Sequence, residues 1–268
     1  MLGRIADLAR IYGKLQLLHL RTHLEYEADF WIGIVGTLAT QGAGFVFVWV
    51  LLNRVPAVKG WTLWEVAFLY GLSIIPRGMA ELFCDGSWRL RFLVNTGELD
   101  RLLVRPISPA LQVITQIASI HGFGGVILGG VILVRASQES HVVWSPAHAL
   151  LLVATLLGSL VLVGSINFAT NAIVFWDQSA NSSFSFLMQN FAEFAKFPVT
   201  LYGRAVQIFL TWVLPFAFIS YFPGAVILGK PEVPPLLGYC APVVGLIVAL
   251  IASLIWRQGL QRYQGAGH

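Results

Sequence analysis

Six stretches of nearly unbroken apolar sequence alternate with short charged connections, at roughly residues 30–53, 61–83, 107–134, 142–176, 205–229 and 233–256. Five of them hold no Asp, Glu, Lys or Arg, and the second holds Glu65, Arg77 and Glu81. About 20 apolar residues in a helix cross the ~30 Å hydrocarbon layer of a bilayer, where every backbone polar group must be satisfied internally. The pattern predicts an all-α, polytopic membrane protein with six transmembrane helices over residues 30–256. Ahead of them, Ile5, Leu8, Tyr12 and Leu15 recur at helical spacing with Arg4, Arg10 and Lys14 between them. That spacing predicts an interfacial helix within residues 1–29, lying on the membrane surface rather than forming a secretory signal. Residues 257–268 form a tail. The longest polar stretches, 1–29 and 84–106, are too short for a core of their own, so residues 1–268 read as one membrane domain.

Charge gives this chain a direction. Its net charge of +4 comes from basic residues on alternate connections. Arg4, Arg10, Lys14 and Arg21 precede the first run, and Arg89, Arg91, Arg101 and Arg105 follow the second. Lys196 and Arg204 follow the fourth, and Arg257 and Arg262 the sixth; the other connections carry Arg54, Lys59, Arg135 and Lys230. The alternation fits the positive-inside rule with both termini cytoplasmic, and it makes the basic balance a topology signal instead of a nucleic-acid surface. The two cysteines, Cys84 and Cys240, then fall at opposite ends of the bundle and cannot pair.

Interruptions within the runs mark irregular places. Run 142–176 would measure about 52 Å as one helix at 1.5 Å per residue, so it either projects from the bilayer or starts at Ser145-Pro146 and bends near Asn167–Asn171. Asn167, Thr170 and Asn171 share one face of it. Two readings are open there: hydrogen bonds between helices, or a polar strip along a substrate path through Asn167, Asn171, Phe175 and Trp176. Pro215, Pro223, Pro231, Pro234 and Pro235 break residues 205–239, predicting either a fifth span that ends near Ile219 with short re-entrant or outer-leaflet helices after it, or a simple kinked helix. Arg77 and Glu81, at i and i+4, read as an ion pair near the cytoplasmic boundary. Gly125 and Gly129 read as a close helix contact, and His121 beside them as a hydrogen-bonded interior residue.

Several chemistries have no sequence support. The chain lacks a GxxxxGK[ST] phosphate loop, an HExxH pair and a GxSxG elbow, so neither nucleotide hydrolysis nor an enzymatic activity of its own is expected. His19 and His23 have no evident third ligand, and no metal site is expected. Intramembrane carboxylates, the usual mark of ion-coupled transport, are nearly absent from the six runs. An intramembrane lipid enzyme or a non-transporting scaffold stands as the alternative class.

The most specific wording is in the loop after the second run, where Gly97-Glu98-Leu99-Asp100-Arg101-Leu102-Leu103-Val104-Arg105-Pro106 closely resembles the GxLDxLLxRP signature of ABC type 2 (ABC-2) transporter permeases. The nearest group is their six-span, viologen-exporter-like branch. Gly60-Trp61-Thr62, Phe175-Trp176, Phe197-Pro198, Leu201-Tyr202-Gly203, Leu214-Pro215-Phe216 and Trp256-Arg257 follow in matching order, so the resemblance runs along nearly the whole chain.

The resemblance implies the membrane subunit of an ATP-driven exporter in a bacterial cytoplasmic (inner) membrane. Such a subunit pairs with a second six-span permease, as homodimer or heterodimer. It binds separate ABC ATPase subunits that hold the ATP and Mg, and it carries no cofactor itself. The loop 85–106 would be the coupling helix, with Gly97, Glu98, Asp100, Arg101, Arg105 and Pro106 in the ATPase contact and a secondary contact from 177–203. The segment 1–29 would be the elbow helix. A hydrophobic, amphipathic or aromatic-cation cargo would suit walls free of buried charge.

Overall fold

The computed structural model describes residues 12–13, 27–54, 57–177 and 183–265. Among them every regular element is helical, and the only strand-like pairing is an isolated bridge between Val58 and Trp61. Most of the interfacial helix expected over 1–29 lies outside the described residues. Tyr12 is described, and its hydroxyl donates to Phe83 O at 2.7 Å.

Two long helices begin the fold, α1 (Glu27–Leu52) and α2 (Leu63–Cys84). α2 starts on a capping box: the Thr62 hydroxyl accepts from the Glu65 N–H, and the Glu65 carboxylate accepts from the Thr62 N–H at 2.9 Å. This reciprocal pair satisfies two of the N–H groups that a helix start leaves free. From Val66 to Pro76 every residue of α2 is buried, so it is the bundle's central post. A 3-10 turn (Asp85–Arg89) and α3 (Leu90–Asn95) prolong it, and Leu63–Asn95 counts as one 33-residue apolar rod. Then follow α4 (Glu98–Leu103), α5 (Pro109–Ile114) and α6 (His121–Glu139).

The third apolar run is therefore two helices, not one span over 107–134. The Thr115 hydroxyl turns back onto Leu111 O at 2.9 Å. The Ser119 N–H bonds Glu81 O at 3.0 Å, and the Ser119 hydroxyl bonds Asp85 at 2.5 Å. Side-chain bonds to local backbone compete with the helix ladder, and here they tie the break to the end of α2. Beyond it α6 packs on α2 through glycines: a Cβ on Gly78 would lie 2.6 Å from Gly122 O, and one on Gly71 2.9 Å from Gly129 O. The close contact expected at Gly125 and Gly129 thus extends to Gly122 and meets two glycines of α2. His121 is exposed at the start of α6, with its ring against Gly33, and is not an interior residue. Gly78→Ala is expected to cost about 1–3 kcal/mol of stability, because backbone, not a movable side chain, occupies the space. Equilibrium unfolding in mixed micelles measures it.

α7 (Pro146–Asn171) begins at Ser145-Pro146, where the Ser145 side chain accepts from His148 N, and it tightens into a 3-10 turn at Ala172–Phe175. α8 (Ser183–Ala192) and the 3-10 turns Glu193–Lys196 and Val199–Leu201 follow. α9 (Arg204–Ile208) with its π turn Phe209–Val213 bends by 78° into Phe216–Ile227, whose last part is α10 (Tyr221–Ile227). The bend falls at Pro215, where the proline rule expected an interruption. α11 (Pro235–Tyr239) leads to α12 (Ala241–Arg262), which runs beyond the expected end at 256. Among the described residues, four helices have the length and composition to cross a membrane, or five if the bent pair is one span.

The segment 183–201 is helical where the hydropathy reading placed no span. Phe186 meets the Trp88 ring at 4.8 Å with tilted planes, Glu193 pairs with Arg77, Lys196 lies over Tyr70, and Thr200 O accepts from Lys59 Nζ at 2.8 Å. The turn Glu193–Lys196 packs on α2, and α8 packs on α7. Lys196 is buried, so it does not belong with the exposed basic residues of the topology argument.

Candidate functional site

The loop 85–108 is built on a hydrophobic footing. Leu90, Leu93 and Val94 of α3 and Leu99 and Leu102 of α4 are buried against Val113, Phe168, Ala172, Val174, Phe175, Ala252 and Trp256. The two helices are separated by Gly97, whose φ of 71° lies in the left-handed region that glycine occupies without strain. Gln112 holds the far end, its Nε2 donating to Leu102 O and Ile107 O, each at 2.9 Å. With Leu99 and Leu102 turned inward, α4 presents Asp100, Arg101 and Leu103 outward, followed by Val104, Arg105 and Pro106. Val104 is 84 % exposed, and Glu98 and Gly97 are half-buried at the edge. No ion pair among the described residues uses Glu98, Asp100, Arg101 or Arg105. The C-terminal chain passes close by, since a Cβ on Gly265 would lie 3.2 Å from Asp100 Oδ2.

The four residues considered for a substrate path take different positions. Asn167 lines a small cavity between α2, α7 and 183–201. Asn171 is buried and donates back to Asn167 O at 2.9 Å, an intrahelical bond. Phe175 is buried edge-on to Trp256 at 5.1 Å, and Trp256 stacks on Phe168 at 4.7 Å. Trp176 is exposed at the end of the 3-10 turn. Only Asn167 reaches that cavity.

Beside Asn167 is a charge cluster that the sequence reading missed. Arg77 pairs with Glu81 at 3.6 Å, as its spacing predicts, and also with Glu193. Glu193 pairs with Lys196 at 2.5 Å, and Lys196 Nζ donates to Gln41 Oε1 at 3.0 Å while lying 5.0 Å above the Tyr70 ring. Tyr70 in turn donates to Gln41 O at 2.8 Å. Arg77, Glu193, Lys196 and Asn167 border a cavity of about 20 Å3, room for about one water molecule. Glu193 is thus a carboxylate at the edge of the helical bundle, its side chain 40 % exposed, where none was expected. Its i, i+3 spacing from Lys196 was the available signal.

These features define a polytopic helical membrane protein with a central rod that ends in an exposed, firmly seated helix. The chain belongs to the ABC-2 transporter family: the model described as "ABC-2 family transporter protein" matches residues 38–267. Membership makes it a transmembrane permease component of an ABC transporter, a class of domain that is not itself catalytic. No curated protein and no solved structure gives a significant match.

Proposed function

We propose that the chain is the permease subunit of an ATP-driven exporter in a bacterial cytoplasmic membrane. It pairs with a second permease and with separate ABC ATPase subunits, which bind ATP and Mg. The observation that carries this is α4. Its inner leucines are clamped under α7 and α12, its outer face is an unpaired mixture of charge and apolar surface, and it follows directly on the rod Leu63–Asn95. A partner pressing on Asp100, Arg101, Val104 and Arg105 displaces a rigid element, and binding energy that differs between nucleotide states moves the helices behind it.

In this reading the chain crosses the membrane six times, through α1, α2, α6, α7, the segment 183–201 and α12. The bent pair Arg204–Val213 and Phe216–Ile227 is a re-entrant hairpin in the outer leaflet. What supports the fifth crossing is that its two ends meet Trp88 and Lys59, at opposite ends of the α2 rod; it moves Arg204 to the outer side, while the basic residues at 89–105 and 257–262 keep both termini cytoplasmic. Single-cysteine accessibility at the exposed Gly203 tests it: labelling from outside the cell is expected, and labelling only from the cytoplasm would return 177–203 to a cytoplasmic loop.

The coupling role is tested by charge reversal. The double variant Asp100→Lys/Arg105→Glu is expected to lower transport and cargo-stimulated ATPase activity about tenfold or more in the reconstituted complex, the equivalent of losing ~1.4 kcal/mol of coupling. Unchanged stimulation would remove α4 from the ATPase contact.

A further inference from the structure

A second cavity, of about 670 Å3, lies between α7 and α12 at the end of the bundle that carries α3 and α4. This is the size of a small-molecule site. Leu160, Gly164 and Phe168 wall it on α7, and Ala249, Ser253 and Trp256 on α12. Tyr12, bonded to Phe83 O, also borders it. Among the described residues, Arg257 is the one charged residue on the lining, and no carboxylate faces the space. Ala249, Ser253 and Arg257 follow at four-residue spacing, so one stripe of α12 runs from small apolar wall to basic rim. Arg257 is exposed and makes no ion pair among the described residues.

We infer that this cavity binds an anionic amphiphile from the cytoplasmic leaflet, with its hydrocarbon chain between α7 and α12 and its acidic head on Arg257. The inference rests on the exporter reading for its orientation and narrows the cargo to amphiphiles with an acidic head. An apolar wall with a single positive rim gains from burying a chain and from pairing a negative head, and it offers an organic cation no charge partner. An arginine near a helix end is by itself only a topological anchor; here it borders a cavity of about 670 Å3. The site is also wired to the coupling surface. Phe168 and Trp256 line the cavity and belong to the cluster that seats Leu90, Leu93, Leu99 and Leu102. A ligand between α7 and α12 therefore rests on the rings that support α4.

Photolabelling of the full chain in zwitterionic-lipid nanodiscs tests this without any ATPase. The probes are a phosphatidylglycerol with a diazirine on one acyl chain, the corresponding phosphatidylcholine, and a diazirine fatty acid. Label mapped to 160–168 and 249–257 is expected to favour the acidic probes about fivefold, the worth of one basic side chain at a headgroup. Ser253→Phe is expected to abolish that label by filling the cavity, and the exposed Arg257→Gln to bring the acidic preference to about one. Labelling by phosphatidylglycerol identifies bilayer lipid as the source, and labelling by the fatty acid alone a free amphiphile. Equal labelling by phosphatidylcholine in the parent chain, or an unchanged acidic preference in Arg257→Gln, overturns the assignment. Failure here leaves the ATPase coupling of α4 untouched, and failure of the Asp100/Arg105 reversal leaves the labelling result standing.

Discussion

Glu193→Gln is expected to destabilise the chain by about 1 kcal/mol, because the Glu193 side chain is 40 % exposed and solvent screens the charges it pairs. Among the described residues Glu193 is the only acid contacting both Arg77 and Lys196, whose side chains are 26 % and 11 % exposed. Without its charge, Lys196 keeps a hydrogen bond to Gln41 and the face of Tyr70, neither of which neutralises it. Arg77 falls back on Glu81. The double variant Glu193→Gln/Lys196→Met is expected to recover most of the loss, because it removes one charge of each sign and leaves the Arg77–Glu81 pair intact. Equilibrium unfolding of the parent, Glu193→Gln, Lys196→Met and the double variant in mixed micelles gives the coupling energy. A single variant as stable as the parent would mean that 183–201 is held to α2 by apolar packing alone.

The same cluster shows why hydropathy located some elements and missed another. α1, α2, α7 and α12 are long and nearly free of charge, so their existence follows from bilayer physics alone. Segment 183–201 is divided into a ten-residue helix and two 3-10 turns around Pro198, and it carries Glu193 and Lys196. A window average charges each of these ions its full transfer cost, although in the bundle they neutralise one another and Arg77. Pairing across elements is tertiary information, invisible to a one-dimensional scan. The break between α5 and α6 escaped for a related reason. It depends on Thr115 and Ser119 choosing local and cross-helix partners, and neither choice leaves a periodic mark.

The loop was legible in a different way. Its wording pointed to the transporter family, and the family match extends over residues 38–267. Its alternation of Leu and charge fits an amphipathic helix with one covered face. In the structure those leucines enter a protein cluster beneath α7 and α12, with Gly97 dividing the loop into two helices. Amphipathic spacing reports that one face is buried. It does not report whether lipid or protein covers that face.

That cluster has its keystone at Trp256, and Trp256→Ala is expected to produce the largest loss of function apart from the charged surface itself. The indole is 5 % exposed, stacked on Phe168 at 4.7 Å and meeting Phe175 edge-on at 5.1 Å. Truncating a buried aromatic side chain costs about 3–5 kcal/mol, and here the void opens directly under Leu93, Leu99 and Leu102. α4 would keep its outer residues and lose its seat, so a push from an ATPase would be absorbed by local repacking and not transmitted to α7 and α12. Trp256→Phe retains an aromatic face for both neighbours and separates the two effects. It is expected to keep most of the cargo-stimulated ATPase activity, whereas Trp256→Ala, assayed at a temperature where it remains folded, loses most of it while still binding the ATPase. If Trp256→Ala stayed folded and kept full stimulation, force would have to pass from α4 along the α2 rod alone.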